Sequence, residues 1–109
     1  MKIATWNIER LKHRKSLDKI VDKCINVKAD ILVLTESDES IELDYEYCYH
    51  TPTPPPLKIE GYDTPLKYKD SEHRVSIYTN YKIVDEHPTF NKYTALCLEL
   101  ETEKGNILV

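Results

Sequence analysis

The chain has 109 residues, 40% of them hydrophobic and 31% charged, with a formal charge of −4. That length fits one small domain or a piece of a larger one, and that balance excludes wholesale disorder. No stretch approaches the roughly 18 apolar residues that cross a bilayer, and the acidic balance argues against gripping nucleic acid by a basic face.

From the N-terminus, Lys2 to Ile8 reads as a buried strand, being apolar and followed by a charged run. It starts directly after Met1 with no signal-peptide core, so cytoplasmic residence and no membrane partner are expected. Ser16 is placed to cap a helix, with Asp18 in its first turn where the dipole favours an acid. Leu17, Ile20, Val21 and Cys24 recur at helical spacing, which predicts a helix from about Ser16 to Val27. Between Glu9 and Lys28 seven Lys/Arg stand against three Asp/Glu, an excess that a solvated helix face explains. Asp30 opens a second strand, whose Ile31-Leu32-Val33-Leu34 run suits a sheet covered on both faces. A strand, a crossover helix and a strand make a right-handed βαβ unit, so the two strands should be parallel.

The segment from Ser37 to His73 has weak periodicity. Its start is acidic, with six acids and no base from Glu36 to Tyr49, which would repel a polyanion unless cations intervene. Tyr45, Tyr47 and Tyr49 alternate with Glu46, Cys48 and His50 and predict a short strand. Thr51 to Pro56, with four prolines, is a loop or a polyproline II turn. Strand patterns return at Arg74–Thr79, Lys82–Asp85 and Tyr93–Leu100, closely spaced and so expected to pair antiparallel. Thr102 to Asn106 is a turn, and Ile107-Leu108-Val109 starts a strand that stops half built. Self-association through that open strand is expected.

Cys24, Cys48 and Cys97 are odd in number and far apart, which excludes a disulfide framework. Cys48-Tyr49-His50 offers two soft ligands, but nothing nearby completes a zinc site.

The chemistry concentrates at two positions. Asn7 closes the first apolar run and Glu36 the second, so both should stand at the carboxyl ends of parallel strands, where open α/β sheets place ligands. An amide oxygen beside a carboxylate is half of a site for a hard cation such as Mg²⁺. The plainer alternatives are a turn residue at Asn7 and a capping or salt-bridged acid at Glu36. His13, His50, His73 and His87 receive no role, since none falls beside either position in a defensible pairing.

Trp6-Asn7-Ile8, followed after one helix by Ala29-Asp30-Ile31-Leu32-Val33-Leu34-Thr35-Glu36, resembles the endonuclease/exonuclease/phosphatase superfamily. The resemblance implies an α/β fold for residues 1–109: the N-terminal half of a two-sheet α/β sandwich, one parallel βαβ unit followed by antiparallel strands, truncated at the C-terminus. It implies Asn7 and Glu36 as ligands of Mg²⁺ (or Mn²⁺). It also implies hydrolysis of phosphodiester or phosphomonoester bonds, with nucleic acid or a small phosphate ester as substrate. Two positions depart from the family pattern: Thr35 stands where Gln is frequent, and Arg74 where Gly is common. The catalytic His and Asp of the family have no match, because no Asp-x-Asn occurs and Ser37-Asp38 is followed by Glu39. They would lie beyond the chain, so residues 1–109 alone are expected to be inactive. The competing expectation is a non-catalytic half-domain that docks to a partner.

Overall fold

The computed structural model describes residues 1–12, 14–64 and 67–109. Strand β1 (Ile3–Asn7) leads through a turn to helix α1 (Leu17–Asn26) and then to β2 (Ile31–Asp38). β1 and β2 pair in parallel from Ile3 opposite Ile31 to Asn7 opposite Thr35. The βαβ unit therefore forms as its sequence dictates. The Ser16 side chain, however, makes no capping hydrogen bond at the head of α1.

β2 also pairs antiparallel with β6 (Glu72–Thr79), and β6 with β3 (Tyr47–His50), giving a four-stranded sheet in the order β1-β2-β6-β3. Successive side chains of β2 point to opposite faces, and each face meets a different cover. On one, Leu32 and Leu34 pack with Ile20 and Cys24 of α1, together with Ile8, Leu11 and Tyr78. On the other, Ile31 and Ile77 pack against Leu98 and Leu100. Those leucines belong to a second sheet of β7 (Lys82–Glu86), β8 (Leu98–Thr102) and β9 (Gly105–Leu108). Two covered faces explain why β2 is an unbroken apolar run rather than an alternating one.

The acidic segment after β2 is held by two phenols: Tyr45 Oη donates to the Ala29 carbonyl at 2.8 Å, and Tyr78 Oη to that of Ile41 at 3.1 Å. Beyond the prolines, β4 (Lys58–Ile59) and β5 (Tyr62–Asp63) form a small exposed hairpin. Its Glu60-Gly61 turn has both residues at positive φ, as two-residue hairpin loops favour. This hairpin has no apolar alternation to announce it.

Three expectations need correcting. The fold is mostly β, with three sheets of four, two and three strands and a single α-helix among the described residues, and not half of an α/β sandwich. Only the first connection has a helical period; the later ones are turns and a proline-bearing loop, so sheet covers sheet. Secondly, β6 and β7 do not pair: over Asn80 and Tyr81 the chain crosses from one sheet to the other. Thirdly, Tyr93–Cys97 is turn and loop, and the strand starts only at Leu98. No helix among the described residues is long and apolar enough to cross a membrane.

Candidate functional site

Asn7 ends β1, and Glu36 lies one residue beyond its register partner, so neighbouring strands carry both to one rim of the sheet. Strand spacing and rise put their Cα atoms about 6 Å apart. Asn7 is exposed, and its Oδ1 accepts the Glu9 N–H at 2.9 Å, a local turn bond that leaves a second lone pair free. Glu36 is half-buried, with no hydrogen-bond or ion-pair partner among the described residues. It does not end its strand: pairing with β6 continues through Ser37 opposite His73 and Asp38 opposite Glu72.

The backbone at this rim is strained. Glu9, Arg10 and Leu11 have φ of +52°, +54° and +56°, and Glu36 has +47°. None is glycine, and Cβ crowding in the left-handed region costs about 1–2 kcal/mol for each. Leu11, 2% exposed, anchors the first turn in the helix-side core, and the Arg10 guanidinium lies 4.5 Å over the Tyr68 ring. Strain of this kind concentrates at functional positions.

The turn at Glu36 also resets which way side chains face. Thr35 pairs with Val75, which packs toward the second sheet. Two residues on, the Ser37 hydroxyl instead meets Ser76 Oγ, whose register partner Leu34 faces α1. His73 is brought over likewise and stacks on His50, ring centroids 4.8 Å apart. A polar cluster results between β2, β3 and β6. His73 Nδ1 meets the Thr51 carbonyl and its Nε2 the Glu39 carboxylate, both at 2.6 Å. His50 Nδ1 is bonded to Ser76 Oγ, and its Nε2 lies 3.5 Å from Cys48 Sγ. Burial, then repulsion from His73, lowers the His50 pKa, with Glu39 opposing. Desolvation by its neighbours raises the pKa of the Cys48 thiol, although the residue is exposed, and a Tyr78 hydrogen bond only partly offsets it. A raised pKa leaves less thiolate at neutral pH, despite the imidazole neighbour. Alkylation of Cys48 by iodoacetamide at pH 7.5 should run slower in the folded chain than in urea; an equal or faster rate would contradict the raised thiol.

None of this cluster was readable from sequence, because the reset at Glu36 is what gathers it. Of the four histidines, His50 and His73 meet here, His87 pairs with Glu99 at 2.9 Å on the second sheet, and His13 lies outside the described residues. Glu72 is buried and accepts the Lys69 N–H at 2.6 Å.

No family model matches the chain, and no curated protein matches it in sequence. The resemblance to the endonuclease/exonuclease/phosphatase superfamily is corrected accordingly. It rested on two short segments, and an apolar run closed by a polar residue is what the tip of any buried parallel strand produces. In three dimensions the chain is similar to a solved structure of a beta hairpin deletion mutant of beta toxin from Staphylococcus aureus. The TM-score is 0.57 at 13% identity, over 98% of this chain and 48% of that one. The chain thus spans about half the length of the structure it matches. What the two share is a fold, and the site is defined by this chain's own residues.

Proposed function

We propose that this chain carries the cation-holding side of a Mg²⁺-dependent phosphoesterase site and is inactive without the remainder of that site. The observation that carries this reading is that Asn7 ends β1 and Glu36 lies one residue past its register partner on the neighbouring strand, its carboxylate without a hydrogen-bond or ion-pair partner among the described residues. Mg²⁺ prefers hard oxygens, takes one or two carboxylates, and keeps waters or phosphate oxygens in its other positions. Glu36 and the Asn7 amide oxygen are donors of that type. Among the described residues no group of three or more His, Cys, Asp or Glu could hold a metal, so binding by this pair is weak. When bound, the cation would offset charge developing on a phosphoryl oxygen. The pair itself supplies neither a base for the attacking water nor a donor for the leaving oxygen. A further segment would have to supply them.

The free edge of β1 favours a second reading, a half-domain that docks to a partner. Ile3 and Trp6 are 56% and 40% exposed there. Beside them a groove of about 350 Å³ is lined by Ala4, Cys24, Val27 and Leu32. Both readings are tested on the purified chain by NMR. Millimolar Mg²⁺ should shift the Asn7 side-chain amide and the Glu36 backbone, and Glu36→Ala should abolish those shifts with no phosphodiester cleaved at any stage. No shift removes the metal role and leaves docking. Mg²⁺-dependent cleavage that Glu36→Ala abolishes would overturn the inactivity.

A further inference from the structure

Beyond Asn7 the strained turn delivers Arg10 into a pocket of about 390 Å³ whose lining also includes Lys12, Lys67, Lys69 and Glu72. Four cations thus face one carboxylate. Three features say that the charge is uncompensated. Arg10 Nε is buried and has no hydrogen-bond partner, in a chain where it is the only such buried side-chain atom among the described residues. Lys12, Lys67 and Lys69 have no ion-pair partner among the described residues. The single acid, Glu72, is buried and already takes the Lys69 N–H.

A buried donor left unpaired costs about 1–3 kcal/mol, and like charges brought together add to that cost. The arrangement nonetheless holds Arg10 in place: its guanidinium lies over Tyr68, and Arg74 Nη1 donates to Tyr68 Oη at 3.2 Å, which anchors the ring. A guanidinium pre-set in this way, flanked by exposed lysines, matches an oxyanion that accepts several hydrogen bonds at once.

We infer that this pocket binds a phosphate group, with Arg10 as the fixed donor and Lys12, Lys67 and Lys69 as the charge that draws it in. The inference goes beyond the metal reading because it requires no divalent cation. The phosphate can be the terminal group of a small ester or an internal diester of a nucleic-acid strand.

The test is an NMR titration of the whole 109-residue chain at pH 7.5 in EDTA, with sodium phosphate against sodium chloride at equal ionic strength. Phosphate should shift the Arg10 Nε–H and the Lys12 and Lys69 amides while chloride does not. Lys12→Glu with Lys67→Glu, both exposed positions chosen to spare the fold, should weaken binding at least about tenfold. Arg10→Gln should abolish the Lys12 and Lys69 responses, but the double variant keeps the test decisive if that turn fails to fold. A second arm uses an oligothymidylate with no terminal phosphate. Tighter binding than phosphate, falling steeply with salt, assigns the pocket to a strand backbone; weaker binding assigns it to a terminal phosphate. Shifts no larger than those of chloride, or affinity unchanged in the double variant, would overturn the pocket. The EDTA condition leaves the Mg²⁺ response of Asn7 and Glu36 as a separate result.

Discussion

Leu100→Ala is expected to lower the unfolding free energy by about 2–5 kcal/mol, enough to unfold a marginal domain. Leu100 is fully buried and packs with Leu98, Ile31 and Ile77, so it ties the second sheet to the first. The nearest control lies on the adjacent strand: Leu108 is 62% exposed, and Leu108→Ala should change stability by no more than about 0.5 kcal/mol. Urea unfolding followed by far-ultraviolet circular dichroism measures both. Equal effects would mean that β7, β8 and β9 are not packed on β2 and β6. The helix-side core would then have to carry the fold alone.

Acidification should destabilise the chain through the cluster at Ser76. The His50 pKa lies below its ordinary 6.5 in the folded state, for the reasons of burial and His73 charge given above. Above pH 6.5 both folded and unfolded chains hold it neutral, and its contribution to stability is complete. As pH falls below 6.5 the unfolded chain takes up the proton first, so stability drops until the folded value is reached. One such group gives a slope of at most about 1.4 kcal/mol per pH unit. The groups facing His50 are His73, Ser76, Cys48 and Tyr78, with Glu39 behind His73. Ser76→Ala removes the shared partner of His50 and Ser37 and should cost about 1–3 kcal/mol at pH 7. His50→Gln should flatten the stability profile between pH 7 and 5. A profile equally steep in that variant would place the titration elsewhere.

The chemistry at the rim shows where sequence reasoning stops. Periodicity located β1, α1, β2 and β3 to within a residue or two at most boundaries, and it singled out Asn7 and Glu36, although β1 is an exposed edge strand and β2 runs on past Glu36. It paired β6 with β7 wrongly, because two strands separated by Asn80 and Tyr81 look like a hairpin and nothing local says that the chain changes sheets. It also left Arg10 inside a charge run that a solvated helix face explained. Arg10 instead occupies a left-handed turn outside α1, and only its contact with Tyr68, far along the chain, gives it a position.

The local rules therefore settled what each segment prefers: apolar runs extend, the 3.6-residue stripe coils, and prolines interrupt. Those preferences act over a few residues, and they sufficed for the parallel unit and its crossover helix. Which sheet covered which, where the ladder skipped Glu36, and which histidines met depended on contacts between residues tens of positions apart. Such contacts are chosen by the burial of whole faces, and the pattern of any one segment does not contain them.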